Sequence, residues 1–235
     1  MHKIKESISL VMPAYNEEAN ISQVISDGLT ELSKATDDFE IVVVNDASTD
    51  RTRRIVEELM KKDKRIRLIN KDINGGCGAA LITGYKNATK DLIFYVPSDN
   101  QIRVKEIHKY LDKIHDKDIV IGYNLVRKDD KIRKINSRLY HMGLALLYGL
   151  YFKQITSCHL YRNKVIKSMT IKSRSPFLSA EIIYKAKKAG FRIAQVGIEH
   201  NPRVGGRATG SSFKEMFRTI WDMIRFWPRF VLIDK

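Results

Sequence analysis

Apolar positions along the chain follow two periods, and the alternation between them predicts the architecture. Residues 7–12 form a short apolar run that Pro13 is expected to end, 40–45 (EIVVVN) repeat it, 65–70 (RIRLIN) alternate cleanly, and 91–96 (DLIFYV) make a fourth run. These are strand patterns, and an apolar run without alternation fits a parallel strand covered on both faces. Between them the period changes. Ile21, Val24, Ile25, Leu29 and Leu32 mark a helix over 20–32 with Asn20 placed to cap it, Ile55, Leu59 and Met60 mark one over 50–62, and a glycine-rich entry opens a third over 75–87. Further on, a helix closes at Ala189 before Gly190 and a strand follows over 192–198. Strands and helices alternating at this spacing predict an α/β fold with a doubly wound, mostly parallel sheet.

Length and composition narrow this picture. At 235 residues the chain is one large domain, or one domain with a small appendage. With 43% hydrophobic and 29% charged residues it is a folded globular chain, which excludes disordered and fibrous classes. Two cysteines, Cys77 and Cys158, are too few for a disulfide framework or a structural zinc site, so a cytoplasmic, reducing compartment is expected. The apolar stretch behind Lys3 and Lys5 is too short for a signal peptide.

Charge separates the two halves. Residues 1–100 hold 14 basic and 16 acidic side chains, and residues 101–235 hold 28 basic and 11 acidic. The net charge of +15 therefore belongs to the second half, which asks for an anionic partner there: nucleic acid, an anionic membrane surface or a phosphorylated substrate. No segment reaches the roughly 18 to 20 apolar residues of a membrane-spanning helix. The longest apolar stretch, 139–152, is 14 residues bounded by Arg138 and Lys153, a length suited to a buried or interfacial helix. At the C-terminus, 213–232 interleaves Phe213, Phe217, Trp221, Phe226 and Trp227 with Lys214, Arg218, Arg225 and Arg229, as interfacial membrane helices do. Core packing or a homodimer contact competes with that reading.

In doubly wound sheets ligands bind beyond the carboxyl ends of the strands. After the first strand come Pro13, Ala14, Tyr15, Asn16, Glu17 and Glu18; after the second, Asn45, Asp46, Ala47, Ser48, Thr49 and Asp50; after the fourth, Pro97, Ser98, Asp99, Asn100 and Gln101. Three loops bring carboxylates to one edge. Such a cluster repels a nucleotide unless a divalent cation, Mg2+ or Mn2+, bridges phosphates to carboxylates.

These segments, together with Gly76-Cys77-Gly78-Ala79-Ala80, resemble the nucleotide-binding half of family-2 glycosyltransferases of the GT-A fold, most of all the dolichyl-phosphate mannose synthase-like branch. The resemblance covers roughly residues 7 to 210 and implies inverting transfer of a sugar from a nucleotide-sugar such as a UDP- or GDP-sugar. It implies that Pro13, Tyr15 and Glu17 hold base and ribose, that Asp46 contacts the nucleoside, and that Gly76 lets the backbone approach the nucleotide. Asp99 matches the second acid of the family's D-x-D element and Gln101 the glutamine that helps hold the metal; Pro97 replaces the first acid, so one metal ligand is missing. Arg127, Arg133 and Ser137 resemble the branch's site for the phosphate of a polyprenyl-phosphate acceptor. Arginine forks suit phosphate oxygens, and a hydroxyl one turn after Arg133 faces the same way. Glu181 falls where relatives carry an acid near the acceptor and is assigned a positioning role in catalysis. Residues 200–210 resemble the R-x-x-G loop, so Arg203 and Arg207 are expected over the diphosphate. Ser157, Cys158 and His159 replace the branch's usual glycine-aromatic pair and leave the sugar open.

The expected organisation is a GT-A domain over 1–210, with a nucleotide-sugar half at 7–101 and an acceptor half at 102–210, followed by an amphipathic helical segment at 211–235. The expected enzyme moves a hexose-type sugar to a polyprenyl phosphate for cell-envelope glycan synthesis. It would sit peripherally on the cytoplasmic face of the membrane, with a membrane protein or a second copy as further candidate partners. Two rivals stand beside it: transfer to a sugar hydroxyl with Glu181 as base, and a basic nucleic-acid-binding protein, which leaves the acidic strand ends unexplained.

Overall fold

The computed structural model describes residues 3–126, 131–155, 157–202 and 213–233. Seven strands, β1 (Ile8–Ala14), β2 (Phe39–Asn45), β3 (Ile66–Asn70), β4 (Leu92–Tyr95), β5 (Ile119–Asn124), β6 (His159–Arg162) and β7 (Ile193–Ile198), form one sheet in the order β3-β2-β1-β4-β6-β5-β7. The helices are α1 (Ile21–Ala35), α2 (Thr52–Lys62), α3 (Cys77–Asn87), α4 (Ile107–Ile114), α5 (Lys131–Tyr148), α6 (Asn163–Lys167), α7 (Leu178–Lys188) and α8 (Phe213–Trp227). All pairings are parallel except those of β6, which runs antiparallel between β4 and β5. The strand order reverses between β1 and β4, which opens a crevice at their carboxyl ends.

Two cores fill the faces. One joins Leu10, Met12, Ile41 and Phe94 to α1, α2 and α4; the other joins Val11, Val42, Ile93 and Tyr161 to α3, α5, α7 and α8. Adjacent residues of β1 and β2 divide between the two cores, which is why those strands read as unbroken apolar runs.

Three expectations needed adjusting. Pro13 lies inside β1 rather than ending it. Carbonyls of Ser7 and Val11 face β4, accepting from Leu92 and Val96, and Pro13 falls beyond the last pair of that ladder, so its missing N–H costs no sheet hydrogen bond. Asn20 stands at the N-cap of α1 without capping it, because its side chain donates to Glu17 Oε2 at 2.9 Å. The apolar 139–152 segment belongs to a helix that starts at Lys131 and stops at Tyr148, where Gly149 takes φ 63°. β5 and β6 were not foreseen. β6 is only four residues long and has polar or charged residues, His159 and Arg162, at both ends, a weak strand signal.

Candidate active site

The loops after β1, β2 and β4 meet because their strands are in-register neighbours, Ala14 beside Asn45 and Val11 beside Tyr95. Loop-to-loop hydrogen bonds then fix their shapes. The Asn16 N–H donates to Ser48 Oγ (3.1 Å), Asn16 Oδ1 accepts from the Thr49 N–H (2.8 Å), and the Glu17 N–H donates to Thr52 Oγ1 (2.8 Å). Ser98 Oγ donates to the Pro13 carbonyl at 2.7 Å, tying the third loop to the first. Each loop also carries one residue in the left-handed region: Asn16 (φ 54°), Ala47 (φ 60°) and Asn100 (φ 61°). Three non-glycine residues of this kind on one strand edge are local strain of the sort that collects at functional sites.

Asp46 is the organiser of this edge. It is buried, and its carboxylate accepts from the backbone N–H groups of Gly75 (3.0 Å) and Gly76 (2.8 Å) and pairs with Lys71. Those contacts shape the turn into α3, where Gly76 sits at φ 83°. A Cβ at Gly76 would lie 3.7 Å from Arg218 Nη1 and 3.8 Å from Glu215 Oε1, so the start of α8 stands over this turn. The charges of Asp46, Glu215 and Asp99 all act on the Cys77 thiol. Desolvation, and after it those three negative charges, pushes the thiol up to about 11 against a smaller opposing effect of Tyr95, so Cys77, although exposed at the surface, stays protonated at neutral pH.

Asp99 accepts the Gln101 N–H at 3.1 Å, and the Gln101 carbonyl accepts the Asn201 N–H at 2.8 Å. Asn201, which precedes residues 203–210 in the chain, is thereby docked beside Asp99. Among the described residues no group of three His, Cys, Asp or Glu forms a metal cage. A site with one carboxylate, Asp99, and the amide of Gln101 still fits Mg2+ or Mn2+, since magnesium commonly takes one or two carboxylates and completes its shell with substrate phosphate and water.

The structure thus brings Pro13, Tyr15, Glu17, Asp46, Gly76, Asp99 and Gln101 to one edge. Ser137 lies on α5, half-buried, its carbonyl bonded by His141 Nδ1 at 2.7 Å. Arg133 is on the same helix with its side chain undescribed, and Arg127, Arg203 and Arg207 lie outside the described residues.

Glu181 corrects an expectation. It is 0% exposed, its carboxylate accepts the backbone N–H groups of Lys172 (2.9 and 3.1 Å) and Ser173 (2.7 Å), and Lys185 Nζ lies 2.6 Å away. It clasps the 172–173 backbone and has no open face toward an acceptor. Lys71, Glu215 and Arg218 were missed by reading the sequence. Lys71 directly follows β3 and so had a strand-end signal, whereas Glu215 and Arg218 are carried to Gly76 only by the fold. The left-handed Asn16 and Asn100 had a signal, because asparagine tolerates that region; Ala47 had none.

α5 and α8 pack beside this edge. Tyr148 Oη donates to the Met223 carbonyl (2.5 Å) and Trp227 Nε1 to the Leu147 carbonyl (2.8 Å). Their outer faces expose Ile135, Leu139, Met142 and Leu146 on α5, and Phe217, Ile220, Trp221 and Ile224 on α8. No helix among the described residues is long and apolar enough to cross a membrane.

Comparison with known proteins bears on the family and the fold. The model of the family described as glycosyl transferase family 2 matches residues 9–170. A dolichyl-phosphate β-glucosyltransferase of Trichomonas vaginalis is 29% identical, the match covering 89% of this chain and 70% of that protein. A glycosyltransferase of Haloferax volcanii is 26% identical over 83% of this chain and 33% of its own length. Glucosyl-3-phosphoglycerate synthase from Mycobacterium tuberculosis, in complex with Mn2+, UDP and glucosyl-3-phosphoglycerate, shares the fold with a TM-score of 0.74 at 17% identity, covering 94% of this chain and 80% of that one.

Proposed function

The chain belongs to glycosyl transferase family 2 and is a glycosyltransferase, and from that premise we propose that it moves a hexose-type sugar from a nucleoside-diphosphate sugar to a polyprenyl monophosphate held at a membrane surface. The observation that carries this reading is the pairing of α5 and α8 beside the donor edge, each helix turning an apolar stripe outward on the basic half of the chain. The similarity to the Haloferax glycosyltransferase and to the Trichomonas dolichyl-phosphate β-glucosyltransferase supports it.

In this reading Pro13, Tyr15 and Glu17 line the nucleoside pocket, and Asp46 shapes the Gly75–Gly76 turn that receives it. Asp99 and Gln101 hold Mg2+ or Mn2+, which supplies positive charge against the departing diphosphate. Arg203 and Arg207 add donors from the loop that Asn201 docks. Arg127, Arg133 and Ser137 orient the acceptor phosphate. One of its oxygens forms a bond to the anomeric carbon from the face opposite the leaving group, and the bond to the donor's phosphate oxygen breaks with its electron pair, inverting the centre. An ionised phosphate needs no proton removed, so positioning and electrostatics carry the barrier reduction. The buried Glu181 is consistent with that economy. The peripheral position on the cytoplasmic face belongs to the same reading.

The test combines a panel of nucleotide-sugars with a polyprenyl monophosphate and extracts the lipid product. Arg133→Ala should weaken acceptor use about ten- to a hundredfold, the loss of roughly 1.5 to 3 kcal/mol from a charge-assisted contact, with donor binding unchanged. Glu181→Gln should keep substantial turnover at temperatures where it stays folded. A crippled, folded Glu181→Gln beside a healthy Arg133→Ala would shift the assignment to a sugar-hydroxyl acceptor.

A further inference from the structure

A cavity of about 300 Å³ lies on the side of α8 turned away from α5, lined by Lys172, Arg174, Arg218 and Arg225 with Trp221 and Phe226, and with Asp222 as its one acid. None of these residues belongs to the strand-end loops or to the Arg127, Arg133 and Ser137 set. Among the described residues no carboxylate pairs with Lys172, Arg174 or Arg225, while Arg218 pairs with Glu215 at 2.8 Å. Asp222 is itself engaged: its Oδ2 accepts the hydroxyls of Ser173 (2.6 Å) and Ser175 (2.8 Å). Three cations without a carboxylate partner among the described residues, beside Arg218 paired with Glu215 and the engaged Asp222, leave a site of excess positive charge, and arginine forks suit phosphate oxygens.

The cavity is built rather than incidental. Glu181 fixes its floor through the Lys172 and Ser173 N–H groups, Asp222 pins the same loop to α8, and α3 presses in from the third side at Gly78. A Cβ at Gly78 would lie 2.3 Å from the Arg174 carbonyl oxygen, so only glycine lets the loop sit there. Two features decide the ligand class. Trp221, 63% exposed, both lines the cavity and belongs to the outward apolar stripe of α8, so the cavity opens at the level of that stripe. Arg218 reaches from the cavity to the Gly76 turn, joining it to the donor edge.

We infer that this cavity is a second phosphate site, distinct from the Arg133 and Ser137 site, which receives the phosphate of a membrane lipid as the α8 stripe enters the bilayer surface. The inference rests on the membrane reading above. Aromatic residues at the headgroup level and cations beside them are the pairing that membrane interfaces favour. The lipid is either the acceptor itself, arriving before transfer, or a bulk anionic phospholipid that holds the enzyme in place.

The test measures binding of the intact protein to phosphatidylcholine vesicles, plain or doped with either phosphatidylglycerol or a polyprenyl monophosphate. The Arg174→Gln/Arg225→Gln variant should lose about tenfold or more in affinity for doped vesicles, since each cation near an anionic surface contributes about 1 kcal/mol. A charge-matched control, Arg138→Gln/Lys153→Gln, should lose clearly less, and UDP binding should be unchanged in both. Loss confined to the polyprenyl-phosphate vesicles identifies the acceptor as the occupant; equal loss on both doped vesicles identifies a headgroup site. Equal loss in the control overturns the inference in favour of diffuse charge, as does wild-type binding by the cavity variant. So does protection of the cavity by inorganic phosphate without any effect on vesicle binding. Measuring lipid glycosylation in parallel keeps the two readings apart: transfer that proceeds with an intact-binding cavity variant sinks only this inference, and absence of transfer to any lipid phosphate sinks the proposed function.

Discussion

The edge formed by the loops after β1, β2 and β4 and the outer face of α5 and α8 solve opposite problems. At the edge, polar groups are held in place by one another: Asn16 by Ser48 and Thr49, Asp46 by Gly75, Gly76 and Lys71, Ser98 by Pro13. Its shape is complete before a ligand arrives, and three left-handed residues are tolerated to keep it so. The helical face is apolar and left to solvent, with Leu146 78% and Phe217 70% exposed. Preorganisation suits a small, densely charged ligand whose geometry must be fixed. An uncovered apolar stripe suits a partner that is soft and recognised by area. The two regions touch at Gly76 and Gly78, where α8 and the 172–175 loop close on α3.

The largest effect is expected at the edge. Asp99→Asn removes the carboxylate proposed above to hold the metal but keeps the side-chain oxygen that accepts the Gln101 N–H. Transfer should fall about 10²- to 10³-fold, the scale seen when one transition-state contact is lost, with thermal stability unchanged. Near-normal turnover would move the metal and the charge stabilisation away from this edge and erase the contrast.

Next comes His159, buried at the start of β6 beside Ile121 of β5. It is 0% exposed, stacked on Tyr161 with centroids 5.5 Å apart, and neither ring nitrogen reaches a hydrogen-bond partner of good geometry. Burial lowers its pKa to about 4, the backbone at Ile155 offsetting only part of that cost. The unfolded chain takes up the proton as pH falls below about 6.5, whereas the folded protein resists until about 4. In that window the unfolded state binds more protons, so stability is greatest above 6.5 and declines as pH falls toward 4, by about 3 kcal/mol in all. His159→Phe keeps the ring stack and cannot titrate. Urea unfolding at neutral and mildly acidic pH should show a smaller drop in the variant, and equal drops would assign the acid sensitivity to the carboxylates instead.

Legibility followed the same divide. The parallel half was written in the pattern: the runs at 40–45 and 91–96 are buried on both faces, and their polar terminations mark the edge directly. The second half was less legible because its strands are short and its helices are amphipathic. β6 offers two apolar residues in four, and α5 begins with Lys131, Arg133 and Lys134, a charged first turn ahead of the apolar stretch that carries no core pattern to mark where the helix starts. Glu181 was misplaced because a sequence motif gives position along α7 but not which way the carboxylate turns; Lys172, Ser173 and Lys185 decide that. Lys71 stands at the end of the predicted third strand and could have been read with the other strand ends, whereas Arg218 reaches the site only through tertiary packing, which no local pattern encodes.

A third prediction probes the helical face. Leu146→Gln and Phe217→Gln alter side chains that touch mostly solvent, so unfolding free energy should move by less than about 0.5 kcal/mol. Binding to vesicles should fall about tenfold for either, the equivalent of roughly 1.5 kcal/mol of apolar burial. Loss of stability with no loss of vesicle binding would make the stripes packing surfaces and remove the second term of the comparison.

The smallest effect concerns the strain at the edge. Ala47 holds φ 60° in the turn after β2, and unlike Asn16 its side chain offers no hydrogen bond in return. A left-handed alanine costs roughly 1 to 2 kcal/mol. Ala47→Gly relieves that cost but enlarges the conformational freedom of the unfolded chain, which takes back about 0.4 to 1 kcal/mol. The net should be a stabilisation between zero and about 1.5 kcal/mol, or at most roughly 3 to 6 °C in Tm for a chain of this size. Asn16→Gly makes the same backbone change while deleting the acceptor for the Thr49 N–H and hydroxyl, so it should be neutral or destabilising. Donor binding separates the causes. If the edge works by holding its shape in advance, Ala47→Gly should raise Tm yet leave the UDP affinity the same or slightly weaker. A lower Tm in Ala47→Gly than in the parent would mean that the turn is not strained and that the edge keeps its shape through hydrogen bonds alone.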